Sequence, residues 1–478
     1  MHVSKYYKLG RNQSELDFVD VRLDTDIPVF LDPTAIKSLE SPWGNELSSL
    51  LQSFFEAVLG HIKNGRHKAA QALLASLSER NEFHLGYSSG KSQGHAFGTK
   101  SAESVWGALF KSNASLTGLL EDLEDTCLLI EGIGPDMISD AVSNILRGPL
   151  IKYTQDMCVY YDIPMTAGVA SGPLWNPIKG IWDNNFVPLP IAGKFGKVIF
   201  VPKILVRQKL SYRVDEYYRH FLLPEMQLSE LKAQTPLVEV LKDGSRRVTK
   251  KALMGKYGKD KLAVVNMTIK HPHALDDYRV AKRDKAPLPL SHEAIADIEE
   301  VDKPDWDLLK KELLAIPAGN DDASAYENVI ERIFSALFYP SLCNPKKQHN
   351  IHDGRKRIDI TYTNEAKSGF FFWIGTHYPS SLIFVECKNY GKEVGNPEVD
   401  QLSGRFSPRR GTVGILTCRN IKDKARLIAR CKDTANDSRG YILVLDDNDV
   451  ITLLNERIKV DGLLTYELLR NKFMELID

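Results

Sequence analysis

The stretch Leu382–Asn389, Leu-Ile-Phe-Val-Glu-Cys-Lys-Asn, constrains this chain more than any other. An apolar run rich in β-branched and aromatic residues predicts a buried strand. The run leads straight into a carboxylate, a thiol and an amine. Charged groups are rarely buried unpaired, so Glu386 and Lys388 need a reason to stand there. Residues two apart on a strand share a face, which puts Glu386 and Lys388 on the same side.

Upstream, Ile358, Ile360 and Tyr362 alternate with Asp359 and Thr361. That is the pattern of a half-buried strand, with Asp359 on the face opposite the isoleucines. Before it, Val329, Ile330, Ile333, Phe334, Leu337 and Phe338 recur at helical spacing, with Glu327 near the start of the helix. The predicted order is a helix over 325–338, strands near 348–352, 357–363 and 381–388, a helix at about 397–405 and a strand over 412–417. The 27 residues from Asp359 to Glu386 predict a long hairpin through Gly369–Trp373.

Asp359 followed by Glu386-Cys387-Lys388 resembles the PD-(D/E)XK nuclease signature, in the Mrr-like branch of restriction endonucleases. That family has an αβββαβ core, and the predicted order fits it. In that branch the helix after the Glu-x-Lys strand often carries a Gln facing the site, which Gln401 matches, and the first helix often carries a Glu, which Glu327 matches. Ile358 stands where the signature has Pro. The resemblance covers roughly 320–450. It implies an α/β restriction-endonuclease-like C-terminal domain; the residues ahead of it read, from their own pattern, as a larger mixed α+β, largely helical N-terminal region.

The implied chemistry explains the residue types. A phosphodiester is anionic, so attack by water needs charge neutralisation. Two carboxylates suit a hard cation such as Mg²⁺, which keeps several waters, and Mn²⁺ would substitute. The resemblance makes Asp359 and Glu386 metal ligands, with Glu327 as an additional or water-mediated one. Lys388 would activate water or offset developing charge, and Gln401 would orient water or phosphate. The plainer alternative is a Glu386–Lys388 salt bridge at a strand end, with Asp359 capping a turn.

Apolar content is 43% and charged content 26% over 478 residues, values of an ordinary globular chain long enough for two or three domains. Net charge is zero, which argues against a uniformly basic binder but not against clustered basic residues. The six cysteines show no Cys-x-x-Cys spacing, so neither a zinc ribbon nor a disulfide framework is indicated. The start lacks the apolar core of a signal peptide, and no run of eighteen apolar residues occurs. Cytoplasmic location without a membrane partner is the expectation.

In the N-terminal region, Phe18–Val21 and Val29–Leu31 read as short strands, and Asp17, Asp20, Asp24, Asp26 and Asp32 as a solvated turn. Residues 45–63 and 66–78 read as helices. Gly86–Gly94 tempts comparison with a P-loop, but only three residues separate Gly86 from Gly90-Lys91-Ser92, one too few. A glycine-rich loop that could still cradle a phosphate is the better description. Residues 102–164 read as mostly helical, with carboxylates at 121–125 ending one helix and those at 136–140 opening the next; a charged helix face explains them better than a second metal site. Residues 164–202 read as loops with short strands, one over Lys197–Val201, and 213–222 as helix.

Between Lys242 and Lys285 stand thirteen Lys or Arg against five Asp, interleaved with apolar residues. This is either the footprint of a phosphate backbone or a solvated basic helix face. The charge inverts over Glu293–Glu312, with eight acidic residues and three lysines, so that this segment could mask the basic stripe. Arg405, Arg409 and Arg410, with Arg355 and Arg357, are candidates to border the catalytic face and grip phosphate.

The expected organisation is a sensor, regulatory or DNA-recruiting region over 1–285 with a break near 165–200, a linker over 286–320, a nuclease domain over 321–452 and a helical tail over 453–478. The expected activity is Mg²⁺-dependent DNA cleavage in restriction or antiphage defence, by analogy of architecture. Expected partners are DNA, a second copy of the chain, and a nucleotide or phage-derived trigger. The alternatives are a structure-specific repair or recombination nuclease, a binding module with an inactive nuclease fold, and a nucleotide-dependent switch at Lys91.

Overall fold

A computed structural model of the chain describes residues 1–77, 81–86, 107, 109, 119–285, 287–351, 356–391, 394–459 and 465–478. The protein is mixed α+β, with one apolar core formed mainly by residues before 280 and a second formed by residues 309–476.

The second core surrounds a five-stranded sheet. Its elements are α1 (Ala323–Leu337), β1 (Leu342–Ile351), β2 (Lys356–Asn364), α2 (Gly369–His377), β3 (Leu382–Lys388), α3 (Asn396–Ser403), β4 (Val413–Cys418), α4 (Lys424–Asn436), β5 (Tyr441–Asp446), α5 (Asp447–Lys459) and α6 (Glu467–Ile477). The strand order is β5-β4-β3-β2-β1. The first three strands run antiparallel to their neighbours, and β3, β4 and β5 run parallel. Parallel neighbours need a crossover, here α3 and then α4. In α1, Tyr326, Val329, Ile330, Ile333, Phe334 and Leu337 form one buried stripe. In β3, Ile383, Phe384 and Val385 are all buried, because helices cover both faces of a central strand.

The expected hairpin through Gly369–Trp373 is instead helix α2. Phe370, Phe371 and Ile374 bury one helical face, which an unbroken apolar run does not distinguish from a strand. α6, expected as an amphipathic helix, buries Leu469, Phe473 and Leu476, and Phe473 packs edge-on against Trp373 and Tyr378.

In the first core, the helix Pro42–Lys63 buries Leu47, Leu51, Phe54, Phe55, Val58 and Leu59. Over 166–189 the expected loops are a long hairpin, Thr166–Asn176 paired with Ile181–Leu189. Trp175 packs on Phe54, and its indole N–H donates to Ser53. Two register shifts interrupt the ladder, which hides the period-two pattern of the strands. Lys197–Val201 forms no strand, although Val198–Val201 is buried. Of the two expected early strands, Phe30–Leu31 pairs with Val206–Arg207, while Phe18 makes a single bridge to Pro202.

Asp24 is exposed in a turn, but Asp17, Asp20 and Asp32 are buried rather than solvated. Asp17 accepts from Tyr153 at 2.6 Å, Asp20 from the Ser4 backbone at 2.8 Å, and Asp32 caps a helix while accepting from Ser211. The carboxylates at 121–125 begin a helix, Leu123–Leu129, rather than end one, with Asp122 and Asp125 forming a capping box. Glu124 pairs with Lys37 and Asp125 with Arg279, so they are neutralised by side chains.

Residues 292–299 and 306–315 within the 286–320 segment are helical. The two cores meet through ion pairs. Arg11 forks onto Glu331 of α1, and Arg332 onto Glu15. Glu331 is fully buried. Burial alone would raise its carboxyl, but Arg11 and Lys347 outweigh that and hold it below the ordinary value.

Candidate active site

Strand pairing assembles the site. Ile360 of β2 pairs with Val385 of β3, so one step further along the antiparallel pair Asp359 stands beside Glu386, on the same face. The Asp359 carboxylate accepts the Cys387 backbone N–H at 2.9 Å. Glu386 is 1% exposed. Its Oε1 accepts from Lys388 Nζ at 2.8 Å and its Oε2 from Arg405 Nη1. A carboxylate buried this deeply demands counter-charge, and it has two cations.

Cys387 alternates to the other face. Its thiol is pushed well above its ordinary value, by burial first and then by the charges of Asp359 and Glu327. The raised value disfavours the thiolate form that a cysteine nucleophile needs.

Glu327 is half-buried on α1 and lines a cleft of about 610 Å³ with Lys152, Asp156, Tyr160, Lys346 and Lys347. Gln401 is exposed on α3, and none of the contacts to Asp359 or Glu386 among the described residues involves it. Arg405, expected to border the site and grip phosphate, is 4% exposed and spent on Glu386. Arg410 is half-buried and donates to the Arg405 carbonyl at 3.2 Å, while Arg409 is exposed. Arg355, and Gly90, Lys91 and Ser92, lie outside the described residues, and of Arg357 only its place on β2 is described.

Two features escaped the sequence. Asn389, just past Lys388, donates to the carbonyls of Pro317 and Gly319 and so ties the preceding segment to the mouth of the site. Asp447, after β5, is held by Tyr326 and Arg419, with its carboxyl raised by burial to about 6. Only an Asn after Glu-x-Lys and an acid after a strand hint at them.

The donor set suits a hard cation in type: two carboxylates on adjacent strands, one of whose oxygens, Asp359 Oδ1, accepts no hydrogen bond among the described residues. No group of three or more His, Cys, Asp or Glu that could hold a metal occurs among those residues. Glu386 would have to exchange Arg405 or Lys388 for an ion.

Residues 8–213 match the model of a domain of unknown function (DUF8370). The match ends well before Asp359. No curated protein and no solved structure matches the chain. No helix among the described residues is long and apolar enough to cross a membrane.

Proposed function

We propose that the C-terminal region is a phosphodiesterase of the PD-(D/E)XK type that cuts DNA under control of the N-terminal region, in restriction or antiphage defence. The supporting observation is the convergence of Asp359, Glu386 and Lys388 on two adjacent strands, just beyond the last paired residues Ile360 and Val385, with the Lys388 ammonium 2.8 Å from Glu386. Asp359 and Glu386 would hold Mg²⁺ or Mn²⁺, which would neutralise the phosphodiester and acidify a water. Lys388 carries a positive charge to where negative charge develops on the phosphoryl oxygens, and positions the attacking water through its N–H donors. Arg405 pairs with the Glu386 carboxylate and would give way there to the ion. Burial of Glu386 strengthens each of these interactions. Cutting both strands of a duplex with one site per chain calls for two copies related by symmetry.

A second reading, a DNA-binding module with an inactive nuclease fold, is favoured by the Arg405–Glu386 pair, which fills one oxygen of a proposed ligand. Incubation of the full chain with supercoiled plasmid in Mg²⁺ or Mn²⁺ separates the two. Nicking or linearisation that is lost in Asp359→Asn supports the phosphodiesterase. Equal cleavage by both proteins would mean that Asp359 is not a ligand. No cleavage of plasmid, phage or branched DNA would favour the binding module.

A further inference from the structure

The basic stripe over 242–285 folds into something more specific than a charged surface. Two helices, Lys250–Tyr257 and Lys261–Lys270, are joined by the three-residue turn Gly258-Lys259-Asp260. Gly258 sits at φ +87°, and a Cβ there would lie 3.1 Å from the Ala263 Cβ, so the turn needs glycine both for its conformation and for its closeness to the second helix. Thr249 and Asp260 cap the two helices by accepting from Ala252 N and Ala263 N. A short two-stranded ribbon, Glu239–Val240 with Arg246–Arg247, precedes them.

The inner side of this unit is firmly anchored. Tyr217 bonds Thr268 at 2.8 Å, Tyr218 donates to the Gly258 carbonyl at 2.5 Å, and Lys261 donates to the carbonyls of Ile130 and Ile133. The outer side is unspent. On the second helix Leu262, Asn266 and Lys270 are exposed at spacing i, i+4, i+8, one stripe of the surface. Leu262 is 66% exposed and adds an apolar contact to that stripe. Lys242, Arg246, Lys251, Lys259 and Lys270 are all exposed and have no carboxylate partner among the described residues. The acids on this side are engaged locally: Glu239 with Arg247, Asp243 with Ser245, Asp260 with its helix.

We propose that these two helices and the ribbon form a duplex-DNA-binding face, with the second helix entering the major groove. A helix–turn–helix is the arrangement that presents a helix to that groove. Asn266 is the side-chain type that reads adenine by paired hydrogen bonds, Leu262 meets a thymine methyl, and the unpaired lysines and Arg246 take the phosphates. A-form RNA does not fit, since its major groove is too deep and narrow for a helix. The face is remote in sequence from Asp359 and Glu386, and its role as a DNA contact stands whether or not those residues cut.

The test is fluorescence anisotropy of the full chain with a labelled B-form duplex of about 30 base pairs in EDTA, so that cleavage chemistry plays no part. Binding by wild type is expected to weaken at least tenfold in the triple variant Lys251→Glu, Lys259→Glu, Lys270→Glu. The slope of log affinity against log salt should flatten by about 2 to 3, one unit per lost phosphate contact. The milder Lys→Gln triple variant guards against misfolding and should weaken binding in the same direction, with unchanged circular dichroism. Asn266→Ala should reduce discrimination among duplex sequences and leave the salt slope unchanged. Absence of duplex binding by wild type, an unchanged slope in both triple variants, or tighter binding of duplex RNA than of duplex DNA would overturn the proposal.

Discussion

Glu299 is a buried acid whose cost can be calculated. It lies at the end of the helix His292–Glu299, is 4% exposed, and neither carboxylate oxygen has a hydrogen-bond partner among the described residues. Burial first, and then the charge of Asp20, raise its pKa from 4.5 to about 9 against the opposing pull of Lys203. Because the folded value lies above the unfolded one, the associated stability is fully present below pH 4.5 and is lost as pH rises through about 9. Each pH unit between those limits costs about 1.4 kcal/mol, so the loss is about 3 kcal/mol by pH 7. Lys203, in the same junction, is depressed by burial to about 8. Its contribution is present above its unfolded value and is lost as pH falls through about 8, so it adds little slope below pH 7. Equilibrium urea denaturation of wild type and Glu299→Gln between pH 5 and 7 isolates the effect. Wild type should lose about 3 kcal/mol relative to the variant across that window. Parallel pH dependence of the two proteins would refute the assignment of Glu299 as a buried neutral acid.

Arg11→Met leaves the fully buried Glu331 with Lys347 at 3.5 Å as its remaining cation among the described residues, and should cost about 3 kcal/mol in urea denaturation; adding Glu331→Gln should restore most of the loss. Gly411 sits at φ +147° with a Cβ position 2.4 Å from the Leu382 carbonyl oxygen, so Gly411→Ala should destabilise by about 2 kcal/mol or more in the same assay. Arg405→Met frees one Glu386 oxygen, and on the proposed function should tighten Mn²⁺ binding, read by electron paramagnetic resonance, by about tenfold.

The C-terminal sheet was legible where burial and period agree. Ile358, Ile360 and Tyr362 alternate and are buried in β2, and Leu382–Val385 is the central strand. Strand alternation also placed Glu386 and Lys388 together, since both facts are local. Phe370–Trp373 was not legible, because an all-apolar run of that length carries no period and only tertiary packing made it α2. The 166–189 hairpin was hidden by its bulges, and its glycines and prolines read as loop. Arg405 read as a phosphate contact because it is grouped in sequence with Arg409 and Arg410, while its partner Glu386 lies on another element. Asp17, Asp20 and Asp32 misled for the same reason: their donors Tyr153, Ser4 and Ser211 come from elsewhere in the chain. Long-range pairing of charges decides such roles, and spacing alone does not carry it.

The most direct test of the proposed chemistry is plasmid cleavage by the full chain in Mg²⁺ or Mn²⁺, comparing wild type with Lys388→Ala at matched folding by circular dichroism. Lys388 is 13% exposed in its side chain and bonded to Glu386, so its truncation removes the ammonium with little effect on the sheet core. The expected result is nicking or linearisation by wild type and a loss of rate of about a hundredfold or more in the variant. Equal rates for the two proteins would contradict Lys388 as the charge at the reacting phosphate, and with it the central assignment of the site.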